Sequence, residues 1–264
     1  MDGRYRRPEL IDARLRSAGV GELDGTVAIV TGSSSGIGAA TAQRLAGLGA
    51  HLVVNSASSV EAGQAVADGL PTESIYVQAD ISDEEQGRAL IDRTIERFGR
   101  LDVLVNNAGW TTVVPHGDLD ALTDDILRRT FEVNVFGTWW LTRAAMPHLR
   151  ASPDPSVVMV TSLAGVRPTG SSIAYAMTKA ALNHLTLLLA KSCGPVRVNA
   201  VAPGLVETPW TAEWHPVHEH VAKVTPLHRV ATPEDCAEAV LGFVRNRHLT
   251  GQIMVVDGGS SLVE

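Results

Sequence analysis

Thr26-Val-Ala-Ile-Val30-Thr31-Gly32-Ser-Ser-Ser-Gly36-Ile37-Gly38 is the stretch from which the fold is read. Residues 26–30 form an apolar, β-branched run with no polar alternation, as expected of a strand covered on both faces. The run stops at Thr31-Gly32. A helical pattern then reads from Ile37 to Leu48, ended by Gly49. A strand, a glycine-rich turn and a helix in that order form an anion cradle. Glycines let backbone approach a diphosphate, and the first N–H groups of the helix point at it. The spacing is Gly-x-x-x-Gly-x-Gly, and its setting between strand and helix favours nucleotide binding over an ordinary tight turn.

Working outward, the alternation continues. Strands are expected at His51–Val54, Ile75–Gln78, Leu101–Val105, Val157–Thr161, Val196–Val201 and Gln252–Val256. Helices are expected at Val60–Asp68, from a capping box at Ser82–Glu85 to Phe98-Gly99, at Thr123–His148, at Ala174–Lys191 and after Thr232-Pro-Glu-Asp235. Apolar strands separated by helices imply a doubly wound α/β fold: a parallel sheet of about seven strands with helices on both faces.

Composition sets the outer limits. The chain has 264 residues, 45% hydrophobic and 19% charged, which fits a soluble globular protein and excludes collagen-like or disordered classes. Its net charge of −7 argues against general nucleic-acid binding. Cys193 and Cys236 lack the spacing of a metal knuckle or a disulfide framework, and Met1–Leu10 has no apolar core of a secretory signal. No apolar run reaches membrane-span length, so a cytoplasmic protein with no membrane partner is expected. Residues 1–23, with Arg4, Arg6, Arg7, Arg14 and Arg16, form an N-terminal extension. One domain is expected over 24–264, including a substrate lid at about 205–231.

Tyr175 and Lys179 stand four residues apart in a helical segment, on one face. A phenol titrates near 10. An ammonium roughly 5 Å away, at an effective dielectric near 20, stabilises the phenolate by about 3 kcal/mol, or roughly two pKa units. Ser162 follows the fifth strand, on the edge where doubly wound sheets bind ligands.

With these landmarks, the chain resembles the short-chain dehydrogenase/reductase family in its compact single-domain branch. The matching residues are the Thr31–Gly38 turn, Asp80, Asn106-Asn107-Ala108-Gly109, Asn134, Ser162, Tyr175-x-x-x-Lys179, Pro203-Gly204 and Asp257-Gly258-Gly259, in family order across 25–260. The resemblance implies a Rossmann-type sheet and an NAD(P)-dependent oxidoreductase that moves a hydride between nicotinamide and a carbonyl or secondary alcohol. It implies Asn134, Ser162, Tyr175 and Lys179 as the catalytic group. Tyr175 acts as acid/base, Ser162 orients the substrate oxygen, Lys179 tunes Tyr175 and holds the nicotinamide ribose, and Asn134 fixes a local kink and a proton-relay water.

The same resemblance gives the cofactor contacts: Gly32, Ser34, Ser35, Gly36, Ile37 and Gly38 at the pyrophosphate, and Asp80 with Ile81 at the adenine. Asn107, Ala108 and Gly109 line the adenosine ribose, and Pro203, Gly204, Val206 and Thr208 hold the carboxamide. The second strand ends in Asn55-Ser56-Ala57-Ser58-Ser59, with no carboxylate for ribose hydroxyls. That favours NADP(H) over NAD(H), although Ser35 stands where NADP-using relatives often carry arginine.

The stretch 205–231 is too long for a plain connection, and its Trp210 and Trp214, with Trp110, are candidate substrate walls. His215, His218 and His220 invite a metal reading. It is set aside because Pro216 breaks the spacing, so no metal is expected. Trp139 and Trp140 are expected inside or at a subunit contact, and a homotetramer or homodimer through the helices at 123–148 and 174–191 is expected. Three alternatives stand beside the enzyme. A non-catalytic dinucleotide sensor would not need Tyr175, Lys179 and Ser162. A sugar-nucleotide epimerase or dehydratase would carry a larger carboxyl-terminal domain. A nucleic-acid-binding regulator has only the arginine-bearing extension in its favour.

Overall fold

Successive residues of a strand point to opposite faces of its sheet, so a strand apolar at every position needs cover on both sides. In the computed structural model, which describes residues 21–263, that is the arrangement. Strands β1 (Val27–Val30), β2 (His51–Ser56), β3 (Ser74–Gln78), β4 (Val103–Asn106), β5 (Ser156–Val160), β6 (Arg197–Pro203) and β7 (Ile253–Val256) form one sheet in the order β3-β2-β1-β4-β5-β6-β7. All pairings are parallel, for example Ile29 beside Val53 and Leu104.

The helices are α1 (Gly36–Ala46), α2 (Val60–Asp68), α3 (Glu84–Phe98), α4 (Asp124–Phe131), α5 (Thr138–Arg150), α6 (Ile173–Ser192), α7 (His215–Val224) and α8 (Pro233–Arg245). Ile29, Val53, Leu104 and Met159 face Leu90, Leu141, Leu149 and Leu189 of α3, α5 and α6. On the other face, Ala28, Val30, Val105 and Val158 meet Ala42 and Leu45 of α1 and Val240 and Phe243 of α8. The chain order reverses on either side of β1, which opens a crevice between the carboxyl ends of β1 and β4.

Local chemistry sets several ends differently from the sequence reading. α1 stops at Ala46, two residues early, because Gly47 and Leu48 turn back on Gln43 and Leu45. α3 is capped by Asp83 rather than Ser82: its carboxylate accepts from Glu85 N at 2.9 Å and Gln86 N at 3.1 Å. Ser82 is turned instead to Asp80, at 2.7 Å. The long helix expected at 123–148 is α4 and α5 joined by a π-helical stretch, Glu132–Gly137, that contains Asn134. The segment 205–231 is no bare loop but holds a 3₁₀ turn, Pro209–Thr211, and α7. α8 begins at Thr232 as expected, with Pro233 in its first turn and a capping box to Asp235.

Of the N-terminal extension, residues 1–20 and their arginines lie outside the described residues. Leu23 donates to the Leu48 carbonyl at 2.9 Å, and Glu22 pairs with Arg245 at 2.8 Å, so 21–23 are joined to the domain. Among the described residues, no helix is long and apolar enough to cross a membrane.

Candidate active site

The turn after β1 has its shape because nothing larger than glycine fits. Gly32 has φ +61°, and a methyl there would come within 2.9 Å of the Ala108 Cα. At Gly38 a methyl would meet the Gly32 carbonyl oxygen at 2.4 Å and Asn107 Nδ2 at 2.6 Å. Asn107 locks the two loops by donating to the carbonyls of Thr31, at 2.8 Å, and Gly32, at 3.0 Å. Thr31 Oγ1 in turn accepts from the amides of Asn107 and Ala108, both at 3.0 Å.

α1 then begins at Gly36 with no side chain capping it and no acid in its first turn. Its leading N–H groups are left for an anion, and a dinucleotide diphosphate fits this cradle. A cavity of about 1090 Å³ runs from here along the carboxyl edge of the sheet. Most of the expected cofactor residues line it, including Gly32, Ser35, Gly36, Ile37, Asp80 and Ile81 at one end and Pro203, Gly204, Val206 and Thr208 farther along. Ser34, Gly38 and Asn134 do not line it. Gly38 acts from beneath the turn, through its closeness to Gly32 and Asn107.

Asn55 and Ser56 both line the cavity at its Asp80 end, and each already holds partners within the fold. Asn55 is buried, with Nδ2 donating to the carbonyls of Val77 at 3.0 Å and Ala79 at 3.1 Å, so its amide ties β2 to β3 and is spent before a ribose arrives. β2 runs two residues farther than the apolar pattern suggested, and that register turns Asn55 inward. Ser56 Oγ shares a hydrogen bond of 2.8 Å with the Tyr76 hydroxyl. Arg129 of α4, which the sequence reading missed, also lines the cavity, reaching Ser82 Oγ at 2.9 Å and Asp80 at 3.3 Å. Burial raises the Asp80 carboxyl, but the Ser82 hydroxyl and amide and the Arg129 guanidinium outweigh it, so its pKa lies below the ordinary value. No sequence signal links Arg129 to Asp80, because 49 residues separate them.

At the opposite end, α6 starts at its cap Ser172, whose hydroxyl accepts from Tyr175 N at 3.2 Å. That puts Tyr175 in the first turn, facing the cavity, with Lys179 one turn below it. Ser162, just past β5, accepts from Ala164 N at 3.1 Å, and its hydroxyl faces the Tyr175 phenol. Lys179 is 3% exposed, donates to the Val160 carbonyl at 2.9 Å, and holds its ammonium 5.5 Å from the centre of the Tyr175 ring.

The electrostatics correct the sequence reading. Burial pushes the phenol up to about 12, with the Ser162 hydroxyl drawing it the other way. Burial also pulls the Lys179 ammonium down to about 8. Lys179 is buried and Tyr175 is half-buried at the cavity wall, and for each the loss of water contact favours the neutral form. Without dinucleotide, Tyr175 is a protonated donor rather than an acidified phenol.

Asn134, within the π stretch, has no exposed surface. Its Oδ1 accepts from Trp110 N at 2.7 Å, and its Nδ2 donates to Trp110 O and Thr178 Oγ1, both at 3.0 Å. The amide therefore ties the loop after β4 to the catalytic helix and holds Trp110 by both backbone groups. Trp110, Trp210 and Trp214 all face the cavity. Among the three histidines, His218 is spent on the Thr211 carbonyl at 2.9 Å, while His220 lines the cavity mouth. Among the described residues, no three histidine, cysteine or acidic side chains gather as metal ligands.

Known proteins resemble this chain in sequence and in fold. A family model described as "Enoyl-(Acyl carrier protein) reductase" matches residues 32–261. The chain is 56% identical over 241 residues to "Granaticin polyketide synthase putative ketoacyl reductase 2" of Streptomyces violaceoruber, covering 90% of this chain and 96% of that protein. It is 36% identical over 258 residues to "Versicolorin reductase stcU" of Emericella nidulans, covering 90% and 96%. A solved short chain dehydrogenase from Burkholderia cenocepacia J2315, in complex with NADP, superimposes with a TM-score of 0.84 at 34% identity, covering 90% of this chain and 99% of that one.

Proposed function

The chain belongs to the short-chain dehydrogenase/reductase family, and from that premise we propose that it uses NADPH to reduce a ketone on a bulky aromatic polyketide. The reaction class is that of an NAD(P)-dependent oxidoreductase acting on carbonyl or alcohol groups of a small molecule. The observation that carries the reading is one cavity with a diphosphate cradle at one end and Ser162, Tyr175 and Lys179 at the other.

A bound dinucleotide would supply the hydride. Gly32, Ser35, Gly36 and Ile37 would hold its diphosphate, Asp80 and Ile81 its adenine, and Val206 and Thr208 its carboxamide. Ser162 donates to the substrate carbonyl oxygen and fixes it beside Tyr175. Tyr175 gives its proton to the oxygen as negative charge develops there. Even with a phenol near 12, transfer runs downhill, because an alkoxide is the stronger base. Lys179 holds the ribose and supports the phenolate left behind, and Asn134 keeps the Trp110 loop in register with α6.

Three features support the finer points. For NADP(H), no carboxylate lines the cavity at the end of β2, where Ser56 and Ser58 stand, and the nearby Asp80 carboxylate is neutralised by its pairing with Arg129. For an aromatic substrate, Trp110, Trp210, Trp214, Val114 and Leu163 make the inner walls apolar, and two relatives are named for granaticin and versicolorin chemistry. For assembly as a homotetramer or homodimer, Phe136, Trp139, Met177 and Leu188 lie on the π stretch, α5 and α6 with 46%, 39%, 48% and 50% of their surface exposed. Leu182 and Leu189 of α6 are instead in the core.

The reading also takes 24–264 as one domain with 205–231 as its substrate lid. It takes the cytoplasm as the compartment, in keeping with two cysteines that are both unpaired.

The test is a panel of polycyclic aromatic ketones and small aliphatic ketones with NADPH and NADH, followed by loss of nicotinamide absorbance. The reading expects turnover with the aromatic ketones and NADPH. Turnover confined to small aliphatic ketones would overturn the substrate class, and no oxidation of either dinucleotide by any ketone would overturn the reductase direction.

A further inference from the structure

We propose that Trp210 occupies the nicotinamide end of the cleft before dinucleotide arrives and must leave for it to bind, so that this indole limits dinucleotide affinity. The argument starts from one point in space, the place a Cβ would take on Gly109. Three groups converge there: Asn134 Oδ1 at 3.4 Å, Lys179 Nζ at 3.6 Å and the tip of the Trp210 ring, Cη2, at 3.8 Å. The same indole stands edge-on to Tyr175, with centroids 6.4 Å apart and the planes at 73°. Trp210 thus lies among the backbone, the ammonium and the phenol that the reductase reading assigns to the nicotinamide and its ribose.

Two residues upstream, Thr208 leans on the diphosphate cradle. Its Cγ2 and Cβ lie 3.3 and 3.4 Å from the corresponding Cβ position on Gly36. The short run from Thr208 to Trp210 therefore bridges the glycine turn and the catalytic pair. A dinucleotide laid from one to the other runs along this part of the cavity wall and meets the Trp210 ring where it reaches Gly109 and Lys179.

The run is built to move as a unit. Its 3₁₀ turn and α7 are hydrogen-bonded together: Thr211 Oγ1 donates to Val206 O at 2.6 Å and accepts from Thr208 N at 3.3 Å, while the Thr211 carbonyl accepts from Trp214 N at 3.0 Å and meets His218 Nε2 at 2.9 Å. No residue of that turn is buried, and Trp210 is 47% exposed. Outward rotation forfeits little packing, whereas Trp110 is pinned at both backbone groups by Asn134. A ligand that binds only the opened form has its affinity reduced by the fraction of protein that is open. Once displaced, Trp210 stands beside the substrate volume as a wall.

This inference rests on the dinucleotide reading, and the experiment separates the two. Calorimetric titration with NADPH and with adenosine 2′,5′-bisphosphate, which lacks the nicotinamide half, is run on the wild type and on Trp210→Ala. The expectation is that Trp210→Ala binds NADPH about five- to tenfold more tightly while the bisphosphate affinity is unchanged. Trp210→Phe, with its smaller ring, is expected to fall between them and stands in should the alanine variant fail to fold. Unchanged or weaker NADPH binding in the variants, or an equal gain for both ligands, overturns the plug. If the wild type binds neither of these ligands nor NADH, the dinucleotide reading itself falls.

Discussion

The two walls of the cleft are made of different material. The wall formed by residues 31–38 and 106–109 is backbone against backbone, held by Thr31 and Asn107 and by glycines whose Cβ positions are already filled. The wall formed by 205–231 is made of large side chains, Trp210, Trp214 and His220, on a turn and a helix without a buried residue. It joins the domain where Val206 pairs with Ala231 and Glu207 N donates to Ala231 O at 2.9 Å, and again where Leu227 N donates to Gly258 O at 3.3 Å. In the proposed function the first wall meets what every dinucleotide shares, its diphosphate and riboses. The second can vary side chain by side chain without disturbing the sheet, and the proposed function places choice of substrate there.

The contrast can be broken at several strengths. Tyr175→Phe removes the donor between the walls without touching either. Turnover is expected to fall by about a thousandfold or more with dinucleotide affinity within about twofold of wild type, checked by steady-state kinetics and calorimetry. Gly38→Ala drives a methyl into the first wall and is expected to cost about 3 kcal/mol in denaturant unfolding and to weaken dinucleotide binding. A methyl tolerated there without loss would contradict the rigid-wall account.

Lys179→Met tests the burial that links the walls. The Lys179 ammonium titrates lower in the fold, at about 8, than its ordinary 10.5. The wild type therefore carries a penalty below pH 8 that fades as the pH rises toward 10.5. The stability of the wild type should gain on that of the variant by about 2 kcal/mol between pH 8 and 10, measured by urea unfolding of both. A pH-independent gap would show that the ammonium is not desolvated. The smallest effect is expected at the adenosine end. Ser56→Asp offers a carboxylate to ribose hydroxyls and repels a 2′-phosphate, shifting the NADPH/NADH preference toward NADH by about tenfold in kcat/KM. No shift would place the discriminating contact elsewhere, Arg129 being the nearest basic group.

The sequence carried the fold because continuous apolar strands and a capped helix such as Thr232–Asp235 are local signals. It also carried Tyr175, Lys179 and Ser162, whose spacing and position after a strand are local too. What it did not carry depends on contacts between distant segments. Asn55 reads as an open polar end of β2, yet pairing with β3 turns its amide inward to Val77 and Ala79. Arg129 meets Asp80 only because α4 folds back across the end of β3. The phenol, expected to be acidified by its lysine, is held neutral instead, because sequence gives the spacing of two charges but not how far the fold buries each of them.

That last point carries the mechanism and can be measured in the dinucleotide-free protein. Phenolate absorbance is followed as pH rises, and the Tyr175→Phe titration is subtracted from that of the wild type. A protonated donor loaded by burial predicts no Tyr175 phenolate up to about pH 10 and ionisation near 12. A phenolate band that appears below pH 9 and vanishes in the variant would contradict it.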